Sequence, residues 1–470
     1  MSNAAQGQDP PPPAKPARSP AAALKRTTSL LDRPLVLYTL IGGIGLVVLL
    51  AAGVESGLNR PFVSGSDSSQ YASIGASLAH GGGYRDPVGL WPNSPATDRV
   101  PAWPIILSFG MRLAPNAPDE VVSRLTNIFC LALVGVFMGA LCRKLGVRPL
   151  LCLLAGLYVS LSPILAYFAL DGLSEISFIL LVTAGLFLLF ASRRFWYLGA
   201  LLIGMGPLIR PNFVIVPVLF IALVVLLPAM RRRTVFSSGV LIRATLALIL
   251  SMVPTIAWLL RNYTVTGRFP LLTTFYGEAY YGSNNDVTAN DLEYWGGWTF
   301  PDAIPNETPK KVLAQHLPND VALNDYYIHK GNQWVETHRA ALPRLLLGKA
   351  VRSFALIPWD NSTSWRQWSA LSSRMVLLLL VLVTIPFWWH AMNRYYLVFL
   401  LALGISHIVT TILIDGQVRY SFCFFELFAL PCAAFGVDRW LQGRQAAAFA
   451  RSCNSQPQTN PTHDSSAASG

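Results

Sequence analysis

Apolar residues gather into ten runs, at approximately 34–54, 122–142, 149–170, 173–191, 195–209, 211–229, 241–260, 374–392, 395–414 and 420–438. Each is long enough, or nearly so, to cross about 30 Å of hydrocarbon. The fifth and sixth are short and meet at Arg210-Pro211, which predicts a hairpin that barely reaches the far surface. Two long stretches break the pattern, from Glu55 to about Glu120 and from Arg261 to about Ser373. Each holds an amphipathic segment, Ser69 to Leu78 and Ala341 to Leu356, that predicts an interfacial helix. The pattern therefore predicts an all-α membrane protein of about ten transmembrane helices, with two long outer loops carrying interfacial helices. The membrane domain spans 29–440, with outer loops at about 55–120 and 261–373. The Pro-rich segment 1–28 and the segment 441–470 read as unstructured cytoplasmic tails. The first apolar run is span-length with no small-residue cleavage site, so it reads as a signal anchor.

Composition agrees with the pattern. Of 470 residues, 53% are hydrophobic and 13% charged, against roughly a quarter charged in a soluble domain. Collagen-like, coiled-coil and small disulfide-rich classes are excluded. The net charge of +12 is read by side of the membrane, not as a nucleic-acid signal. With the N-terminus inside, eighteen Lys and Arg residues fall in cytoplasmic segments and only Arg210 and Arg419 in short outer gaps. That asymmetry supports ten spans with both termini cytoplasmic. The acidic residues do the reverse, and only Asp9, Asp32, Asp438 and Asp464 fall inside. Function is therefore expected at the outer face. Neither outer loop contains Cys, so outer disulfides are not expected, and no zinc-site spacing, P-loop or dinucleotide motif occurs.

With this topology one face gathers Asp67, Arg99, Asp171, Glu175, Arg210, Arg261, Asp415 and Arg419. Carboxylates can act as general bases or metal ligands, and arginines bind phosphate through a bidentate fork. A phosphate at membrane level implies a lipid phosphate. The bland reading of each residue is a salt bridge or helix-end anchor. Trp295, Trp298, Trp334, Trp359, Trp365 and Trp368 in the second loop read as interfacial anchors or a sugar-stacking surface. Glu426 and His407 fall inside the spans, roughly 10 Å below the outer surface at 1.5 Å per residue, and are expected to pair or to line a lipid cavity.

Ordered motifs run through the chain. Asp67 and Tyr71 form D-x-x-x-Y, followed by G-G-G-Y at 81–84 and R-V-P-A-W-P at Arg99 to Pro104. Then come S-P at Ser162, L-S-E ending at Glu175, L-I-R-P at Arg210, R-N at Arg261-Asn262 and R-Y at Arg419-Tyr420. Their order and topology resemble the C-type glycosyltransferase superfamily, in particular its bacterial protein-mannosyltransferase-like and aminoarabinose-transferase-like members. The resemblance covers about residues 34–440. It implies a polyprenyl-phosphate sugar donor, membrane lipids as partners, and transfer to a glycan, lipid or small acceptor on the periplasmic side of a bacterial inner membrane. It implies Asp67 and Glu175 as catalytic acids. Tyr71, Arg99, Asp171, Arg210, Arg261, Asn262, Arg419 and Tyr420 would contact substrate. Some members use a divalent metal, which two carboxylates could hold with water. Val100 and Ala102 depart from the usual R-P-P-G-Y-P. Direct displacement would invert the anomeric centre. The alternative is a lipid-linked-sugar flippase or transporter, which would place ionisable groups along a central path and carry internal repeats.

Overall fold

The computed structural model describes residues 30–191, 194–230, 238–269, 272–354 and 365–454. Segment 1–28, expected as a tail, lies outside them. Helix α1 (Pro34–Ser56) leads into the first loop, which carries α2 (Asp67–Ala79) and α3 (Ala102–Leu113). Helix α4 (Asp119–Lys144) returns. Its first turn is acidic, Asp119 and Glu120, and its last is basic, Arg143 and Lys144. The same charges that orient a span also complement the helix dipole. Next come α5 (Pro149–Ser160), α6 (Pro163–Leu170), α7 (Glu175–Ala191), α8 (Trp196–Gly204), α9 (Ile215–Met230) and α10 (Ser238–Thr266). The second loop carries α11 (Tyr276–Gly282), α12 (Asp286–Asn290), α13 (Lys310–His316), α14 (Asp320–Thr337) and α15 (Leu342–Ser353). The chain closes with α16 (Trp365–Trp388), α17 (Arg394–Leu413), α18 (Val418–Phe424) and α19 (Leu430–Asn454). Among the described residues no strand forms, and β pairing is limited to the bridge between Arg85 and Pro95.

The chain is an integral membrane protein, but its helices do not reproduce ten full spans. Among the described residues, six helices are long and apolar enough to cross a membrane, or seven if α5 and α6 form one span bent by 43°. The runs at 173–191, 195–209 and 211–229 become helices of 17, 9 and 16 residues. Proline explains the breaks, because it lacks an N–H and clashes with the carbonyl four residues back. Pro163 starts α6, Pro207 and Pro211 start 3-10 turns, and Pro431 lies in the first turn of α19. The expected last span at 420–438 is accordingly divided into α18, a 3-10 turn and α19. Residues 441–454, expected in a tail, continue α19. The second loop is also shorter than expected at both ends, since α10 runs to Thr266 and α16 begins at Trp365.

The core centres on α4, which packs against α1, α5 and α7. At the α4–α5 crossing a Cβ on Gly135 would lie 2.7 Å from the Gly156 carbonyl oxygen. Small residues thus let two helices approach at backbone contact, which is how packing is gained in lipid. Of the two expected interfacial segments, the first is α2, and its apolar face is occupied. Tyr71 and Ala72 pack on Trp103, Leu107 and Met111 of α3 and on Val122 of α4. The second is α15, which buries Leu345 and Lys349 and exposes Leu346, Leu347 and Val351, as an interfacial helix does. Residues 355 and 356, expected in that segment, lie outside the described residues.

Ion pairs identify the two ends of the bundle. Asp32 lies 3.6 Å from Arg143, and Arg148 pairs with Asp438. Those four residues mark one end, and the loops with Asp67, Arg99, Glu175, Arg210 and Arg419 mark the other. This gives a test of orientation. A cysteine at exposed Lys311 should react with a membrane-impermeant maleimide in intact cells, and one at exposed Lys144 should not. The reversed labelling pattern would overturn the charge-based topology.

The two ionisable groups expected to pair within the bundle do not. Glu426 instead binds Arg374, with Nε donating to Oε2 at 2.6 Å and a terminal nitrogen to Oε1 at 2.5 Å. His407 Nε2 lies 2.8 Å from Ser353 Oγ. The Ser353 carbonyl accepts from Arg374 at 3.3 Å, so one residue links the two groups. Arg374 is the first residue of the apolar run at 374–392, where a charge needs no buried partner. The longer α16 carries it into the interior instead.

Candidate active site

Five segments converge at the outer-loop end of the bundle. Asp67 is the first residue of α2, and Ser66 is its cap, with Ser66 Oγ accepting from the Ser69 amide at 3.3 Å. The Asp67 carboxylate is therefore free of capping duty. Gln70 lies one helical turn on and shares its face. Both reach Arg99 from the loop before α3. Asp67 Oδ1 lies 2.9 Å from a terminal nitrogen of Arg99, and Gln70 Oε1 accepts from Arg99 Nε at 2.6 Å. The guanidinium also lies 4.5 Å from the Phe275 ring and 5.6 Å from the Tyr71 ring, within cation–π range.

Glu175 is the first residue of α7 and pairs with Arg210, which precedes a 3-10 turn. Arg419 joins the two carboxylates, 3.8 Å from Asp67 Oδ2 and 3.7 Å from Glu175 Oε1. It also donates to the Tyr420 hydroxyl at 3.2 Å. The order in space is Arg99–Asp67–Arg419–Glu175–Arg210, three cations and two anions. Exposure differs along this chain. The Asp67 and Arg419 side chains are 23% and 27% exposed, whereas Glu175 is fully buried. Burial opposes ionisation of Asp67, but the guanidiniums of Arg99, Arg419 and Arg210 outweigh it and hold its carboxyl below the usual range.

Two cavities flank this chain. The outer cleft has a volume of about 1430 Å³, and the inner one about 120 Å³. Asp67, Arg99, Phe275, Arg419 and Tyr420 line both and form the partition. Arg210 and Tyr71 line the inner cavity. Asp171 lines the outer one, and its carbonyl accepts from Ser68 Oγ.

Arg261 and Asn262 sit apart from the cluster. Arg261 donates to the Ala96 carbonyl and to Asn262 Oδ1, both at 2.8 Å, and lies over Trp258 and Tyr84. Asn262 donates to the Leu272 carbonyl at 3.2 Å. The pair ties the end of α10 to both loops. Sequence reading missed Gln70 and Phe275. The i+3 spacing from Asp67 could have found Gln70, whereas Phe275 had no local signal.

A divalent cation fits this donor set poorly. Among the described residues no group of three or more His, Cys, Asp or Glu is placed to hold a metal. Asp67 and Glu175 are already met by three guanidiniums, so a dication would enter a net positive site.

No protein-family profile matches the sequence, and no curated protein matches it. The structure is similar to the oligosaccharyltransferase of Archaeoglobus fulgidus in its apo form, at 11% identity and a TM-score of 0.49, over 89% of this chain and 52% of that one. The chain thus spans about half the length of that enzyme. It is also similar to ArnT of Cupriavidus metallidurans in the apo state, at 12% identity and a TM-score of 0.38, over 93% and 82% of the two chains.

Proposed function

We propose that this chain is a membrane glycosyltransferase of the C type, moving a sugar from a polyprenyl-phosphate carrier to an acceptor, with inversion. The carrying observation is the five-member ionic chain that divides two cavities and holds one cation in excess. An excess guanidinium beside a small cavity suits a phosphate. In this reading the donor phosphate meets Arg210 and Arg419 in the inner cavity, and the acceptor enters the outer cleft. Asp67, in the partition, takes the proton from the acceptor hydroxyl as its oxygen bonds the anomeric carbon. The bond from that carbon to the phosphate oxygen breaks, and its electron pair leaves on the carrier phosphate, whose charge the arginines meet. Glu175, sealed from both sides, acts as a positioning residue for Arg210 and Arg419. The positive-inside count supports a site on the outer face, and the resemblance in motif order favours the periplasmic side of a bacterial inner membrane.

The test is a radiolabelled polyprenyl-phosphate sugar supplied, together with an extract of envelope glycans and lipids as acceptors, to the purified protein in vesicles. A transferase consumes the donor and leaves polyprenyl phosphate, whereas a flippase moves the donor intact. Transfer should survive EDTA, because the site fits no dication, and full loss restored by Mg²⁺ or Mn²⁺ would contradict the proposed site chemistry. Arg419→Lys should raise the donor KM by about tenfold or more, since a charged hydrogen bond is worth about 1.5–3 kcal/mol and Lys lacks the planar fork. Arg261→Ala, outside both cavities, should leave donor KM within about twofold. Equal effects of the two substitutions would remove the phosphate role from Arg419.

A further inference from the structure

Two carboxylates of the outer cleft are buried and incompletely bonded. Asp415 precedes α18 and is 1% exposed. Its Oδ2 accepts from Gln417 Nε2, and its Oδ1 has no hydrogen-bond partner. The loop around it is clamped. The Gly416 amide donates to the Gly296 carbonyl at 2.9 Å, and a Cβ on Gly416 would lie 1.9 Å from the Lys349 carbonyl oxygen. The backbone beside Asp415 is therefore held against both neighbouring segments. Asp86, in the first loop, is 6% exposed. Its Oδ1 accepts from Ser73 Oγ at 2.7 Å and from the Val88 amide at 3.2 Å, and its Oδ2 has no partner. A buried acceptor left unmade costs about 1–3 kcal/mol, more when charged, so each one needs an explanation. Burial also pushes both carboxyls up, Asp415 to about 6.

The rest of the lining narrows the ligand that would satisfy them. Beyond the partition the lining carries Asp119, Glu120, Asp171 and Asp302 against two lysines, Lys310 and Lys311, and Lys310 is already held by Glu278 at 2.5 Å. A polyanionic ligand would be repelled there. Trp298 and Phe300 form an edge-to-face pair with centroids 4.5 Å apart, and Phe300 is largely exposed on the cleft. Aromatic side chains and carboxylate acceptors lining one cleft suit a ligand with apolar ring faces and hydroxyl donors around its edge.

We infer that the outer cleft binds an uncharged glycan as acceptor, with Asp86 and Asp415 accepting hydrogen bonds from its hydroxyls and Trp298 and Phe300 facing its rings. This rests on assigning the outer cleft to the acceptor. The experiment is direct binding of the purified full-length chain, in lipid nanodiscs, to an array of neutral, uronate-bearing and phosphorylated oligosaccharides. Neutral glycans should be retained and anionic ones not. Asp415→Ala and Asp86→Ala should each weaken binding of the same neutral glycans about tenfold or more. Asp415→Asn and Asp86→Asn keep the volume and part of the hydrogen bonding. They should fold as the parent does and should gain anionic glycans. The inference is overturned if no neutral glycan binds, if anionic glycans bind as well as neutral ones, or if all four variants bind as the parent does. Donor consumption by the parent separates the two claims. Neutral-glycan binding without donor consumption would sink the transferase reading and leave the glycan site. Donor consumption without neutral-glycan binding would do the opposite.

Discussion

Replacement of Asp67 by Asn is expected to cut transfer by about 10² to 10⁴, the usual contribution of a positioned general base, with folding and donor binding retained. The structural alternatives give a different result. If Asp67 were only a helix cap, Asn would serve as well, and the cap is in any case Ser66. If it were only a counter-ion for Arg99, the Asn carbonyl could still accept the bond now made at 2.9 Å. Removing its negative charge also leaves the arginines less neutralised, so donor KM should hold or fall. What Asn cannot do is accept a proton.

The low carboxyl pKa of Asp67 sharpens this expectation. In the free protein the depressed pKa keeps Asp67 ionised until the pH falls below the ordinary value near 4. Its acid limb in kcat/KM therefore lies below pH 4, because kcat/KM reports the free enzyme. A phosphate that engages Arg419 would weaken that guanidinium's hold on Asp67, so the carboxylate becomes a stronger base when the donor is bound. An acid limb near pH 6 would point instead to Asp415, which burial holds at about that value. The measurement is the initial rate at matched protein with donor well below its KM across pH 3.5–8, which reports kcat/KM. Near-normal turnover of the Asn variant would remove Asp67 from the chemistry.

The apolar pattern carried the long helices well, because a span needs little beyond continuous hydrophobicity. The run at 34–54 is α1, the run at 122–142 lies within α4, and the run at 395–414 is α17 within one residue at each end. Hydropathy is blind to backbone breaks, so Pro163, Pro211 and Pro431 divide runs that composition alone joins. The site divides in the same way. Asp67, Arg99, Glu175, Arg210 and Arg419 each stood out as charges of the outer face, and the fold brings all five together. Their mutual pairing was not legible, because loop conformation joins positions far apart in the chain, such as Asp67 and Arg419. Ser66, Ser68 and Ser69 are the sequence neighbours of Asp67, and its basic partners Arg99 and Arg419 reach it from elsewhere in the chain. Arg261 carried the same local signal as Arg210, yet its guanidinium turns to a carbonyl and two aromatic rings.

Loss of the Glu426 carboxylate is expected to destabilise the bundle by about 3–5 kcal/mol, the usual cost of removing one partner of a buried ion pair. Arg374 and Glu426 are 0% and 1% exposed. Arg374 also donates to Ser421 Oγ at 3.1 Å and to the Ser353 carbonyl, and neither acceptor carries charge to replace the carboxylate. Glu426→Ala should therefore lower the unfolding midpoint sharply. The pair itself is another matter. Two charges withdrawn from water give back much of their attraction as desolvation, so an apolar pair of similar volume is often as stable or more so. Arg374→Met with Glu426→Leu should recover most of the stability that Glu426→Ala loses. Its transfer activity then reports what the ion pair does beyond stability. Through Ser421 and Ser353 the pair ties α16 and α15 to the short helix α18, which also carries Arg419. If the apolar double variant is stable but shows a raised donor KM, the ion pair positions Arg419. If it is stable with donor KM unchanged, packing alone holds α18 in place. A Glu426→Ala variant that unfolds at the parent midpoint would overturn the premise that Arg374 depends on this carboxylate.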